Sequence, residues 1–276
     1  LKGVFFQTET QIKFSEDEQK KGKFFLKNIG LKSDEKYVCL IVRDSAYKDK
    51  YRNWKDDWSY HNYRDSNIDN YKDAVLALAE KGYWVFRMGK AVHKPLITDK
   101  YRIVDYANSA FRSDFLDIWL VANSHFTLCT ATGLADIANV YRIPSAVVNS
   151  SPLGTINSSN KNTIWLPKKI VWNNNQIPLT MSELIETGVI GFMRSEEYTN
   201  ANVSLIDNTN IEITRTALEL ESKLNKTWQP EPGDDLLQNK FWSILKTWKE
   251  FSEFQGELQH RLPDYWLREN HEWFLK

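Results

Sequence analysis

Residues 128–144 read LCTATGLADIANVYRIP: an apolar run that stops at Thr130, two small hydroxyl residues, a glycine, and a helical pattern that ends before a proline. The spacing predicts a helix over 133–141 whose start is left without bulk. Such a start carries unpaired backbone N–H groups and about half a positive charge, which suits a phosphate. Thr130, Thr132 and Gly133 are therefore binding candidates, with Gly133 allowing close approach to the backbone. Other polar residues fall where other apolar runs stop: Arg43 and Asp44 after 37–42, Arg87 and Gly89 around the end of 83–88, Asp105 near the end of 101–106, and Asn149 closing 145–149. Arg43 or Arg87 would supply the bidentate partner of an anion. His61, in the polar and aromatic stretch 45–66, is the histidine to consider as a base. Plainer readings stand beside these. The threonines serve equally as helix caps, Arg43 and Asp44 as surface ion-pairing groups, Asp105 as a turn cap, and His61 as a solvated loop residue.

The elements that must position these residues follow from periodicity. Residues 15–29 form a charged lead-in helix stopped by Gly30, and 37–42 (YVCLIV) is a continuous apolar strand of the kind buried on both faces of a parallel sheet. Helical spacing at Ile68, Tyr71, Val75 and Leu78 leads to a second strand at 83–88, completing a βαβ unit. A third strand at 101–106, a helix from Asp114 to Val121, a fourth strand at 125–130, the helix at 133–141 and a fifth strand at 145–149 repeat the alternation. This predicts an α/β fold: a doubly wound, mainly parallel, Rossmann-like sheet with ligands beyond the carboxyl ends of its strands. Residues 163–172 read as a strand or extended arm interrupted by Pro167, Thr180 and Glu183 as a capping box, 211–224 as a helix, and 234–276 as a tryptophan-rich helical tail packing back on the sheet. The expected organisation is 1–30 as lead-in linker and helix, 31–230 as the Rossmann-like domain and 231–276 as the tail. The stretch 45–66 is long for a structureless loop, which points to function.

Composition narrows the classes. The 276 residues hold 36 Lys plus Arg against 36 Asp plus Glu, so there is no net basic field for a nucleic-acid backbone. The longest apolar runs fall far short of the roughly 20 residues a bilayer requires. Two cysteines, Cys39 and Cys129, lie in apolar strands and make no disulfide framework, which fits a reducing cytoplasm. G-x-G-x-x-G, the P-loop, G-x-S-x-G and H-E-x-x-H are all missing, which disfavours dinucleotide oxidoreductases, the usual NTPases, α/β-hydrolases and zincins.

The segments VCLIVRDSAY (38–47), SNIDNYKDAVLALAEKGYWVFRMGK (66–90) and 102–152, the later SLIDNT and LNKTWQ, and the closing YWLRENHEWFL together resemble a family of bacterial glycosyltransferases associated with surface-polysaccharide gene sets. The similarity runs over nearly the whole chain. More distantly, the Arg43–Asp44 pair after the first strand and the small-residue helix after the fourth strand are similar to donor-site motifs of fucosyltransferases with the two-domain GT-B fold. The resemblance implies the C-terminal, donor-binding domain of a GT-B enzyme acting on a lipopolysaccharide-type or other surface glycan. An acceptor domain would precede it, with residues 1–13 as its last strand or linker, and that domain supplies the general base in many such enzymes. No cofactor or metal is then expected. The nucleotide-sugar is a substrate, the other partner is a glycan or lipid-linked acceptor, and the place of work is the cytoplasm or the inner face of its membrane.

On this reading Tyr47, Arg64 and Asn67 would close over the sugar, Asn149 and Lys168 would read nucleobase or ribose, and Asp44, ahead of His61, is the leading catalytic candidate. Two other classes remain open: a non-catalytic nucleotide- or sugar-binding module, and a structural partner domain whose aromatic residues Tyr47, Tyr51, Trp54, Trp58, Tyr60 and Tyr63 form an interface.

Overall fold

The structure, a computed structural model, describes residues 8–51, 59–156, 160, 162–255 and 260–276. At its centre lies β1 (Tyr37–Ile41), every residue of which is buried. It pairs in parallel with β2 (Trp84–Arg87) on one side and with β4 (Phe126–Cys129) on the other. β3 (Ile103–Val104) lies outside β2, while β5 (Ser145–Ser150) and β6 (Thr163–Pro167) continue beyond β4. The order β3-β2-β1-β4-β5-β6, parallel throughout, is a Rossmann-like sheet, as the alternation of elements predicts. The chain reverses its direction of travel across the sheet between β1 and β4, so the loops leaving these two strands diverge and open a crevice.

Helices cover the sheet: α1 (Glu16–Asn28), α2 (Ala46–Tyr51), α3 (Lys72–Glu80), α4 (Asp114–Ala122) and α5 (Asp136–Tyr141). α1 starts at a capping box between Ser15 and Glu18 and crosses α4 at Gly22, where a Cβ would stand 2.1 Å from the Trp119 ring. Its Phe25 and Leu26 belong to the core of the sheet, so the lead-in helix shares that core. The stretch 45–66 contains α2 and a 3₁₀ turn at Ser59–Arg64; Trp54 and Trp58 lie outside the described residues.

Two expectations are corrected, and a third, the break at Pro167, is met and made sharper. The third strand is two residues long, because Asp105 turns the chain into a 3₁₀ turn at Tyr106–Asn108. Residues 163–172 are two strands: β6 ends at Pro167, which has no N–H to donate, and β7 (Lys169–Trp172) leaves the main sheet. The helix after β4 begins at Asp136 rather than Gly133, because Thr132 accepts the Ala135 N–H on its Oγ1 at 3.3 Å and the Asp136 N–H on its carbonyl at 3.2 Å, making a turn first.

Beyond β7 come α6 (Met181–Glu186), capped by Thr180 and Glu183, α7 (Ser195–Asn200), and β8 (Val203–Ile206), which pairs antiparallel with β7. α8 (Asn210–Leu224), α9 (Asp234–Leu245), α10 (Phe251–Phe254) and α11 (Asp264–Phe274) complete the chain. Trp242, Trp248 and Trp266 of this tail are buried in the common core. Lys223 of α8 bridges Glu219 and Asp264 at 2.6 and 2.8 Å, tying α8 to α11.

Candidate functional site

Thr130 shows how the crevice is built. Its backbone N–H reaches Ile41 O at 2.9 Å and its Oγ1 accepts the Arg43 N–H at 2.9 Å, so one buried threonine stitches the ends of β1 and β4 together. Its hydroxyl is engaged by protein and serves positioning. Just past it the Thr132–Gly133–Leu134 turn projects between two cavities.

The larger cavity, about 490 Å³, opens between the ends of β1, β2 and β4. Val42, Met88, Ile118, Leu134 and Ile137 give it an apolar wall, and Arg43, Lys48, Lys90 and Arg112 bring positive charge to it beside Asp44, Asp114 and Asp117, of which Asp114 pairs with Lys90 and both Asp114 and Asp117 with Arg112. Tyr47 stands at its lip, 44% exposed, with its ring 5.3 Å from that of Tyr51. Gly133 faces open space, and a Cβ built on it meets nothing within 4 Å. On the far side of the turn a second cavity of about 340 Å³ is lined by His61, Arg64, Asp136, Ser150, Ser151 and Trp165, among others. Arg64 spans the partition by donating to Ala131 O at 2.7 Å.

Positive charge concentrates along this partition. Arg43 Nε pairs with Asp65 Oδ1 at 2.9 Å. Burial lifts the Asp65 carboxyl above its usual range, with Arg43 opposing. Burial and the neighbouring Arg43 both work against the charge on Arg64. His61 registers the same field: burial first, then Lys48, Arg64, Arg43 and Arg194, pull its imidazole from 6.5 to about 4, leaving it neutral. A ring carrying that few protons at neutral pH is also a weak base. Asp136, in the first turn of α5, already supplies an acid to the end of that short helix, so the helix dipole is not the main attraction for an anion here. The cations and the turn are.

Other predicted residues hold the rim together. Asp44 accepts the Ala46 N–H on Oδ1 at 3.1 Å and the His93 N–H on Oδ2 at 3.0 Å, so both oxygens are spent on backbone. Arg87, 1% exposed, lies 3.4 Å from Asp105 and 4.0 Å from Asp44 and donates to Lys94 O at 3.2 Å. Asp105 in turn accepts the Leu96 N–H at 3.1 Å. This buried guanidinium clamps the 89–105 loop and does not face the cavity as an anion's partner. Gly89 makes the turn out of β2 with φ 147°, and a Cβ there would meet Val92 Cγ1 at 2.8 Å.

Asn149 and Lys168 are likewise committed within the protein. Asn149 donates its N–H to Asn208 Oδ1 and accepts the Asn208 N–H, both at 2.6 Å, while its Nδ2 reaches Ser66 Oγ at 2.8 Å and Tyr71 OH at 3.1 Å. Lys168 donates to Asp65 O at 2.9 Å and pairs with Asp207 at 2.8 Å. Neither is free to read a nucleobase. Asn67 caps the 3₁₀ turn at Ile68–Tyr71 by accepting the Asp69 N–H at 3.1 Å, and it is exposed.

The structure thus brings Arg43, Asp44, Tyr47, Gly89, Thr132 and Gly133 to one cavity and His61 and Arg64 to its neighbour. Sequence reasoning missed Lys48, Lys90, Arg112 and Ile118, all of which line the larger cavity. Lys48 lies in α2, the first helix after β1, and that place behind a strand end is the signal that could have found it. Among the described residues no group of three or more His, Cys, Asp or Glu is arranged to hold a metal ion, and no helix is long and apolar enough to cross a membrane. Neither a family model nor a curated protein sequence matches the chain.

Proposed function

We propose that this chain is the nucleotide-sugar-binding part of a glycosyltransferase of GT-B architecture, which passes a sugar to a surface-polysaccharide or lipid-linked acceptor in the cytoplasm or at the inner face of its membrane. One observation carries the reading: at the strand-order reversal of a parallel sheet, a turn of small residues separates two cavities and is flanked by cations from different elements. Reversal points are where such sheets hold nucleotides. The apolar wall of the larger cavity suits a nucleobase, the turn at Thr132–Gly133 with Arg43, Lys48 and Arg64 suits phosphates, and the smaller cavity, where Asp136, Ser150 and Ser151 offer polar groups beside the Trp165 ring, suits a sugar.

In mechanism the leaving nucleotide gains negative charge as the glycosidic bond breaks. Arg43, Lys48, Arg64 and the backbone of the turn would stabilise that charge most strongly in the transition state. The resemblance to surface-polysaccharide glycosyltransferases adds the acceptor class and the GT-B pairing with a second domain.

The test is a thermal-shift panel with CMP, UDP, GDP, dTDP and ADP on wild type and on Arg64→Gln. A ligand at 100 times its dissociation constant stabilises the fold by about 2.7 kcal/mol, a rise of several degrees in Tm. One nucleotide is expected to raise the wild-type Tm and to do so much less in Arg64→Gln. A panel without any shift would remove the reading.

A further inference from the structure

The smaller cavity, to which the donor-site reading gives the sugar, is floored by one face of the sheet. Cys129, Val147 and Trp165 are register partners on β4, β5 and β6, so their side chains stand in one row on the same side, and all three line the cavity. Ser145, two residues before Val147, lines it from the next row. The floor lies open because α5, which connects β4 to β5, has only six residues and the turn before it brings the small Ala131 and Ala135 to the cavity.

The hydrogen-bonding groups of this floor are mostly spent within the protein. Thr127 Oγ1 donates to Ser145 Oγ at 2.9 Å, and Ser145 passes its own proton to Ile143 O at 3.2 Å. Tyr198 gives its one phenolic proton to Phe192 O at 2.8 Å, so in its 3.0 Å contact with Ser151 the serine is the donor. The lone pairs of Ser151 Oγ then stay open to an incoming N–H or O–H, and Ser151 also lines the cavity.

Trp165 is the exception. It is 7% exposed, and among the described residues nothing accepts its indole N–H. A buried N–H without an acceptor is costly, and a ligand that brings one removes the cost. This part of the cavity therefore combines an unmet donor, an open acceptor and a small apolar surface at Cys129 and Val147.

An acetamido group is the complement of that set. Its carbonyl would accept from Trp165 Nε1, its N–H would donate to Ser151 Oγ, and its methyl would rest on Cys129 and Val147. A sugar hydroxyl brings no methyl, and the methyl of a 6-deoxy sugar brings no acceptor. We propose that the transferred sugar is a 2-acetamido sugar whose N-acetyl group sits on the Cys129–Val147–Trp165 row; this rests on the donor-site reading above. Ala131 lines the same cavity and directly precedes the turn assigned to the phosphates, which fits a substituent on C2, beside the anomeric carbon. Trp165 is then a specificity-determining residue.

The experiment measures Kd by NMR titration of wild type and Trp165→Phe with N-acetylglucosamine, N-acetylgalactosamine, glucose, galactose and fucose 1-phosphates, which carry sugar and phosphate without a nucleobase. One neutral hydrogen bond and one buried methyl together predict that wild type binds an acetamido sugar about 10- to 50-fold more tightly than its parent hexose. Trp165→Phe keeps a ring in the floor and removes the donor; it is expected to weaken the acetamido ligand about 2- to 12-fold and to leave the hexose unchanged. Equal binding of acetamido and parent sugars by wild type overturns the proposal without need of a folded variant. Tighter binding of fucose 1-phosphate overturns it too, as does a preference undiminished in Trp165→Phe, or a nucleotide Tm shift with no sugar phosphate bound. In each of these cases a Tm shift with one nucleotide leaves the donor-site reading standing. Absence of both the Tm shift and sugar-phosphate binding removes that reading and this proposal together.

Discussion

Gly133→Val separates a ligand-facing turn from a merely structural one. The φ of Gly133 lies outside the left-handed range, and an added Cβ meets no atom within 4 Å, so a valine fits the free fold. Surface changes of this kind usually stay within about 0.5 kcal/mol. A phosphate seated on the turn would meet the new side chain and lose at least one charge-assisted hydrogen bond, worth about 1.5–3 kcal/mol. That is a roughly 10- to 150-fold weaker Kd. Gly22→Ala is the contrast. Its Cβ would stand 2.1 Å from Trp119 Cε2, and overpacking of this sort costs about 1–3 kcal/mol without touching the site. Isothermal titration with the nucleotide found by thermal shift, beside urea unfolding of the free proteins, measures both quantities. Gly133→Val should weaken binding at unchanged stability, and Gly22→Ala should do the reverse. A Gly133→Val protein that binds within about twofold of wild type, or that is itself destabilised by about 2 kcal/mol or more, refutes the reasoning.

Two further predictions use the charges. Because His61 is pulled from 6.5 to about 4, the unfolded chain takes up its proton near 6.5 while the folded chain resists until about 4. Stability therefore falls as pH drops through this window, and His61→Gln should flatten that segment of the urea-midpoint profile. A bound phosphate should raise the His61 pKa, which imidazole NMR resonances would follow. Arg87→Leu leaves Asp105 and Asp44 without their buried cation and should cost about 3–5 kcal/mol in urea unfolding. A loss under about 1 kcal/mol would mean that the clamp on the 89–105 loop is unimportant.

The sequence by itself determined the scaffold. Continuous apolar runs such as 37–42 are compatible with burial on both faces, and their alternation with helical spacing leaves few architectures besides a parallel doubly wound sheet. It also determined where polar groups would gather, since charge begins where each strand stops. What those groups do was decided by tertiary structure. Arg43 and Arg87 both stand at strand ends, yet one reaches the cavity and the other is 1% exposed between two carboxylates, because only packing of the 89–105 loop over β2 separates them. Asn149 and Lys168 look like ligand readers in one dimension and are consumed by Asn208, Ser66 and Asp207 in three. The start of α5 shifted by three residues because Thr132 capped a turn instead of a helix, a choice between near-equal local conformations. Asp49 and His93 are 44 residues apart and meet only because α2 and the loop after β2 share the lip of one cavity. Side-chain pairing across that distance leaves no periodic trace along the chain. It exists only once the sheet has brought the ends of β1 and β2 together.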